Sequence, residues 1–219
     1  MLQLFSFFFT GVVQHCFQVG PSEEASGVSG VLAAYNQVFT SGLIMSSPTQ
    51  FIDVMQTTAA RATRAQETAA KKGKQAYTIL LIVTDGAVSD SQATAACLQQ
   101  ISDAPLSIVI VGVGDADFTS MEFLDDANKT GQRDIAQFVQ FNKHRTSGVD
   151  LTSVTLREIP GQVVDYFQSK NIQPLPAVVA TEEDIIVEEA EEEIDLSLDL
   201  SEDEIVVSAG GNDFRDGFA

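Results

Sequence analysis

Basic residues are scarce in this sequence: 12 Lys and Arg stand against 31 Asp and Glu, a net charge of −19. Neutralising a phosphate backbone needs clustered cations, so a nucleic-acid binder is excluded. Direct electrostatic docking on an anionic membrane leaflet is excluded for the same reason. Cysteine is equally sparse. Cys16 and Cys97 are too few for a disulfide framework in a chain of 219 residues, and neither has the ligand spacing of a zinc site. They read as reduced, partly buried thiols. The two histidines, His15 and His144, have no evident nucleophile partner. There is no G-x-S-x-G elbow and no G-x-x-x-x-G-K-[ST] loop. Gly112-Val-Gly114 continues into Asp-Ala-Asp, and carboxylates there would face a dinucleotide's pyrophosphate. No catalytic constellation is present, so the chain is not expected to be an enzyme.

What is there suits a globular body: 44% hydrophobic residues and 14 Phe, in a length that holds one ordinary domain with some to spare. The acid is concentrated at one end. Residues 177–219 hold fifteen acids and one base, Arg215, and so supply −14 of the −19. The body before them carries only the remaining −5. At the other end, residues 1–13 are apolar without a single Lys or Arg. They lack the basic start and cleavage site of a secretory leader and are too short to span a bilayer as a helix. A buried strand or a misplaced start codon is the reading preferred.

Two apolar runs dominate the middle, residues 77–84 (YTILLIVT) and 106–113 (LSIVIVGV). Neither alternates, as expected of strands covered on both faces inside a parallel sheet. Residues 90–102 between them have helical character, with Asp90 as N-cap and Ala93, Ala96, Cys97 and Ile101 on one face. Strand, helix and strand make a βαβ unit. Helices are expected over residues 30–40 and 49–70, the second with Phe51, Val54, Met55 and Ala59 inward, Thr49 or Ser47 near its start and Gly73 ending it. A short helix over 119–124, a strand near 136–141 and a helix over 151–169 complete the body, with Pro160 implying a kink or two pieces. The fold class is α/β, a doubly wound, mostly parallel sheet. Residues 1–11 form an apolar N-terminal segment, 12–173 the domain and 174–219 a disordered acidic tail.

In an open parallel sheet, ligands bind beyond the carboxyl ends of the strands. Asp85 stands there, directly after the first core strand in Thr84-Asp-Gly86, and offers hard oxygen to a cation such as Mg²⁺. The plain alternative is a polar strand-to-loop turn.

Several linked blocks resemble the A domain of copines: residues 77–90 (YTILLIVTDGAVSD), 104–125 (APLSIVIVGVGDADFTSMEFLD), 133–141 (RDIAQFVQF) and 158–174 (EIPGQVVDYFQSKNIQP). His15-Cys-Phe17, residues 30–35 and Ser47-Pro-Thr-Gln-Phe51 follow in the same order and spacing, so the resemblance spans about residues 12–176. It implies a von Willebrand A fold with a metal-ion-dependent adhesion site. In that family the metal is held by a D-x-S-x-S motif after the first strand, a threonine and an aspartate, and Thr49 and Asp85 match the last two positions. The first strand and its motif are missing. Asp195-Leu-Ser-Leu-Asp199 is the nearest string, and it ends in Asp within the acidic tail. The missing strand is normally a central one, so the sheet is expected either to close over the gap or to leave an edge unpaired. Residues 2–9 are a candidate to fill part of it. The chain reads as a truncated gene model, a short product or a degenerate paralogue.

The resemblance implies a protein-binding module linked to calcium-dependent phospholipid binding and membrane recruitment of partners. Mg²⁺ or Mn²⁺ would sit at an incomplete site, and calcium would act only through the phospholipid-binding modules that this sequence lacks. The protein would be cytoplasmic, recruited to the plasma membrane, with membrane contact only indirect. Ubiquitin ligases with a similar A domain add a Cys- and His-rich module that this tail lacks. The alternative is a metal-independent interaction protein or a non-functional fragment acting through its tail. There, Ile185, Ile186, Val187, Leu196, Leu198 and Leu200 pair apolar runs with acid, as in an extended peptide that adds to a sheet edge beside a basic groove. Ser201, followed by Glu-Asp-Glu, resembles an acid-directed phosphorylation site.

Overall fold

The computed structural model describes residues 3–4, 15–40, 49–86, 88–126, 132–145 and 151–176. In chain order these form β1 (Gln3–Leu4), β2 (Phe17–Gln18), α1 (Gly27–Thr40), α2 (Ile52–Ala70), β3 (Thr78–Thr84), α3 (Ser91–Ile101), β4 (Leu106–Gly112), α4 (Thr119–Asp126), β5 (Ala136–Gln140), α5 (Phe141–Arg145), α6 (Leu151–Leu156) and α7 (Ile159–Ser169). The chain divides into two units, Met1–Leu175 and Pro176–Ala219. Residues 177–219, with the apolar clusters and Ser201 singled out in the tail, lie outside the described residues.

The α/β reading holds. Strands β3, β4 and β5 form one parallel sheet in that order, with Thr78 opposite Leu106 and Ile108 opposite Ala136. Helices α2, α3 and α4 supply the core on one face, where Phe51, Met55, Leu98, Met121 and Leu124 meet Ile108 and Ile110. On the other face Ile159 of α7 packs on Val109 and Val111. Every residue of β4 is buried, because it has a strand on each side and helices above and below. Its nearly continuous apolar run is the sequence of such a strand.

The other core run departs from expectation. Leu80 and Ile82 of β3 face the α2–α4 layer. Ile79, Leu81 and Val83 point to the opposite face, where they are 52%, 57% and 62% exposed. Helix α7 lies over β4, and β3 is the edge of the sheet among the described residues. The strand is apolar on both faces but covered on one. The N-terminal segment does not fill the gap through Gln3 and Leu4, which pair antiparallel with Gln18 and Phe17 in a separate two-stranded sheet. The rest of residues 2–9 lie outside the described residues.

Local signals set most element boundaries. Asp90 caps α3, its side chain accepting from the Ala93 N–H at 2.8 Å. Helix α2 buries Phe51, Val54, Met55 and Ala59. It starts at Ile52, and Phe51 at its N-cap makes no side-chain cap bond. Gly73 ends it at φ +65°, a conformation that favours glycine. Pro160 splits the last helical stretch in two, sitting in the first turn of α7, where its missing N–H costs nothing. One expected face is wrong. Ala96 is exposed and Ala93 and Ile101 are half-buried, while Thr94, Ala95, Cys97 and Leu98 turn inward. Leu98 is fully buried, and burying its side chain gains more than burying an alanine methyl.

The N-terminal ends of all three strands meet at Arg133. Its Nε donates to Ser102 O at 3.1 Å, and its terminal nitrogens donate to Ala104 O, Leu106 O at 3.2 Å, Gln162 O at 3.1 Å and the Tyr77 hydroxyl at 2.9 Å. The Tyr77 and Tyr166 rings flank the guanidinium, with centroids 6.0 and 5.3 Å away. The chain of bonds continues from Tyr77 Oη to Ser107 Oγ at 2.9 Å and from there to Gln162 Oε1 at 2.6 Å. Burial pushes the Tyr166 phenol above its usual range. Arg133→Met would strand several carbonyls and lower stability by about 2–4 kcal/mol. A urea titration should show this as a lower midpoint. Arg133→Lys should restore little, because an ammonium cannot reproduce the planar fork.

Candidate functional site at the carboxyl ends of the strands

The opposite end of the sheet carries the exposed polar loops. β3 ends in Thr84-Asp85-Gly86, and the Thr84 hydroxyl closes the turn by donating to Gly86 O at 2.9 Å. Asp85 is exposed at this rim. Thr49 reaches the same loop from the start of α2. Its carbonyl accepts from Ser89 twice, from N–H at 3.2 Å and from Oγ at 2.8 Å. The segment before α2 is thereby fastened to the loop that follows β3, which brings both sequence-selected residues to one end of the sheet. Ser89 was not singled out in the sequence. Its only sequence signal is its place just before the Asp90 cap.

β4 ends beside them. The Val113 N–H donates to Thr84 O at 2.8 Å, carrying the strand pairing to the rim. Gly114 then turns the chain at φ +86°. Asn142 of α5 clamps this loop, its Nδ2 donating to Gly114 O at 3.1 Å and to Asp115 Oδ1 at 2.8 Å. Asp117 Oδ1 accepts from the Thr119 N–H at 3.0 Å and from the Thr119 hydroxyl at 2.6 Å. Those bonds hold its carboxyl below the usual carboxylate range. Lys143 reaches Glu122 at 2.8 Å, an exposed pair between α5 and α4.

Among the described residues no group of three or more His, Cys, Asp and Glu gathers at one point. The candidate donors are the Thr49 hydroxyl and the Asp85 carboxylate, both oxygen. That set suits a hard cation that keeps most of its waters, and it does not form a closed cage. Both cysteines are thiols, Cys97 buried and Cys16 half-buried. Burial first, then the charge of Asp53, pushes the Cys97 thiol up, and burial does the same to Cys16. Neither is an activated nucleophile.

A family model described as Copine matches residues 10–175. The chain belongs to the copine family. Copine-C of Dictyostelium discoideum is 41% identical over 179 residues, which is 77% of this chain and 32% of that protein. Copine-E of the same organism is 41% identical over 76% of this chain and 29% of its own length. Protein BONZAI 1 of Arabidopsis thaliana is 35% identical over 75% of the chain and 30% of its own. The chain thus spans about a third of the length of these relatives. The copine match ends at 175, where the described body also ends.

Two predictions arise from the loops after β4. A Cβ on Gly112 would lie 2.8 Å from the Phe118 ring, which is buried and packed against Phe138 at 5.6 Å. Gly112→Ala should therefore cost about 1–3 kcal/mol by overpacking, read as a fall in melting temperature. The second concerns acid. A carboxylate whose folded pKa is lowered contributes stability above its ordinary pKa, and that contribution is lost as pH falls through the lowered value. Asp117→Ala should flatten this part of the acid limb in a stability-versus-pH series and leave the neutral and alkaline limbs parallel to the parent's.

Proposed function

We propose that this copine chain is a protein-binding module of the von Willebrand A type, with its binding surface at the carboxyl ends of β3 and β4. The observation that carries the reading is the fastening of Thr49 to Ser89 at the rim where Asp85 is exposed. Thr49 and Asp85 would hold Mg²⁺ or Mn²⁺ there, mostly hydrated. Bound, the cation would supply a positive centre for a partner's acidic side chain. The chain's own residues keep the rim open: Asn142 draws Asp115 toward the loop after β4, and Thr119 engages Asp117. No catalytic role is proposed, and the partner is a protein.

At family level, copines are calcium-dependent phospholipid-binding proteins. For this chain, which covers about a third of its relatives, we assign membrane contact to recruitment through other modules, with a cytoplasmic location between episodes. A second reading has its own support. In it, binding is independent of metal and rests on the fold or on the acidic tail, in keeping with the lack of a clustered set of metal ligands among the described residues.

Thermal unfolding in chelator and then in millimolar Mg²⁺ or Mn²⁺ separates the two. At 100-fold over the dissociation constant, a bound cation adds about 2.7 kcal/mol. The proposal expects a transition raised by metal in the parent and unmoved in Asp85→Ala. A transition indifferent to metal in both would leave the metal-independent reading.

A further inference from the structure

Positive charge is scarce in this chain, and it is unevenly placed. Five of the 12 Lys and Arg residues fall between Arg61 and Lys74, with Glu67 the one acid among them, a local balance of +4 in a chain at −19. Arg61 reaches Glu23 at 3.2 Å. Elsewhere Lys143 meets Glu122, Arg157 meets Glu158 and Lys170 meets Asp103. Arg64, Lys71, Lys72 and Lys74 are exposed and make no ion pair among the described residues. Two causes within the fold do not account for them. Cations offset a helix dipole only within the last turn, whereas Arg64 stands more than a turn before the end of α2 and Lys74 beyond it. Solubility does not call for them either, because a net charge of −19 supplies it.

The scaffold under these cations is fixed. Ala62 and Gln66 turn into the body and leave Arg64 and Lys71 on the outer side of α2, about two turns apart. The helix then closes at Gly73, whose N–H donates to Ala70 O at 3.0 Å while the Lys74 N–H donates to Ala69 O at 2.9 Å. Gln66 Oε1 accepts from the Ala76 N–H at 2.6 Å, and Gln75 Nε2 donates to Gln173 O at 2.6 Å. Lys72 and Lys74 therefore continue the line of Arg64 and Lys71 on a turn whose backbone bonds are made. From Arg64 to Lys74 the stripe runs about 15 Å, a length that an extended peptide spans in about five residues.

We propose that this stripe docks an extended acidic segment of a protein partner, at a site separate from the rim. Helix α2 starts at the rim beside Thr49 and ends at the base, 19 residues and about 28 Å away. Three of the four unpaired cations are lysines. Such flexible point charges suit carboxylates strung along a peptide, whereas phosphate recognition favours the planar fork of arginine. A duplex or an anionic leaflet is broad and would also meet the body outside the stripe, which is acidic. A single extended strand meets only the stripe. Charges beyond about 8 Å are largely screened at physiological salt, so a seated peptide feels the local balance and not the net charge. Nothing in the inference needs a metal at Asp85.

The test is fluorescence anisotropy of a labelled peptide of alternating Glu and Gly, titrated with the full chain in the presence of chelator. Circular dichroism confirms the folding of each variant. The expected result is micromolar binding that weakens about fivefold or more from about 50 to about 300 mM salt, and no binding of the Gln-and-Gly counterpart. Lys71→Gln/Lys72→Gln/Lys74→Gln should raise the dissociation constant about tenfold. Lys72→Glu should raise it about fivefold, and Arg157→Glu, an equal change of net charge at another exposed position, should leave it within about twofold. A Glu peptide that does not bind would overturn the proposal. So would equal losses in Lys72→Glu and Arg157→Glu, or binding lost in chelator and restored by Mg²⁺, which would assign the peptide to the rim. Displacement of the peptide by phosphatidylserine vesicles or by a DNA duplex would overturn it in favour of a broad anionic surface.

Discussion

The guanidinium of Arg133 is the constraint on which the rest of the body depends. The α3–β4 turn, the start of β4 and α7 each leave a carbonyl pointing at one spot, and Arg133 satisfies them together with the Tyr77 hydroxyl ahead of β3. Unmet, those carbonyls would each cost desolvation without return. A single planar group with five donors can serve so many acceptors in so small a space, and no other side chain has that geometry. Because Arg133 lies just ahead of β5, it draws that strand into register with the other two.

Pinning the N-terminal ends of the strands frees the opposite ends for polar work. There the loops are held by hydrogen bonds between exposed groups, Ser89 to Thr49 and Asn142 to Asp115. The base of this sheet is thus held by a part-buried network and its rim by bonds between exposed groups. The proposed binding surface would suit that division, since groups that must exchange water for a ligand cannot be locked in a core.

Most of the fold could be read from residue patterns, since its causes are local. The Asp90 cap bonds to a residue three positions on, Gly73 ends a helix through its own φ, and Pro160 divides a helix by its own geometry. Phe51, Val54, Met55 and Ala59 report the inner face of α2 through spacing alone. The α3 face departs from expectation because three alanines and a cysteine give almost no directional signal, and the single leucine decides it. At the candidate site, Asp85 was legible from its place after a core strand, and Thr49 from the copine resemblance. Ser89 and Asn142 were not, since their contacts cross 40 and 28 residues of sequence.

The two core strands show where the sequence stops. Both are nearly continuous apolar runs, and by composition both belong inside a sheet. Sequence alone determined that each is a strand, that a capped helix joins them, and that hard-oxygen donors follow the first. Only tertiary structure decided that β4 is enclosed on every side while β3, among the described residues, has β4 on one side only and leaves Ile79, Leu81 and Val83 exposed. Hydrophobicity records what a strand is able to bury. Whether it is buried depends on the neighbours that come to lie against it, and those are set by contacts distant in sequence.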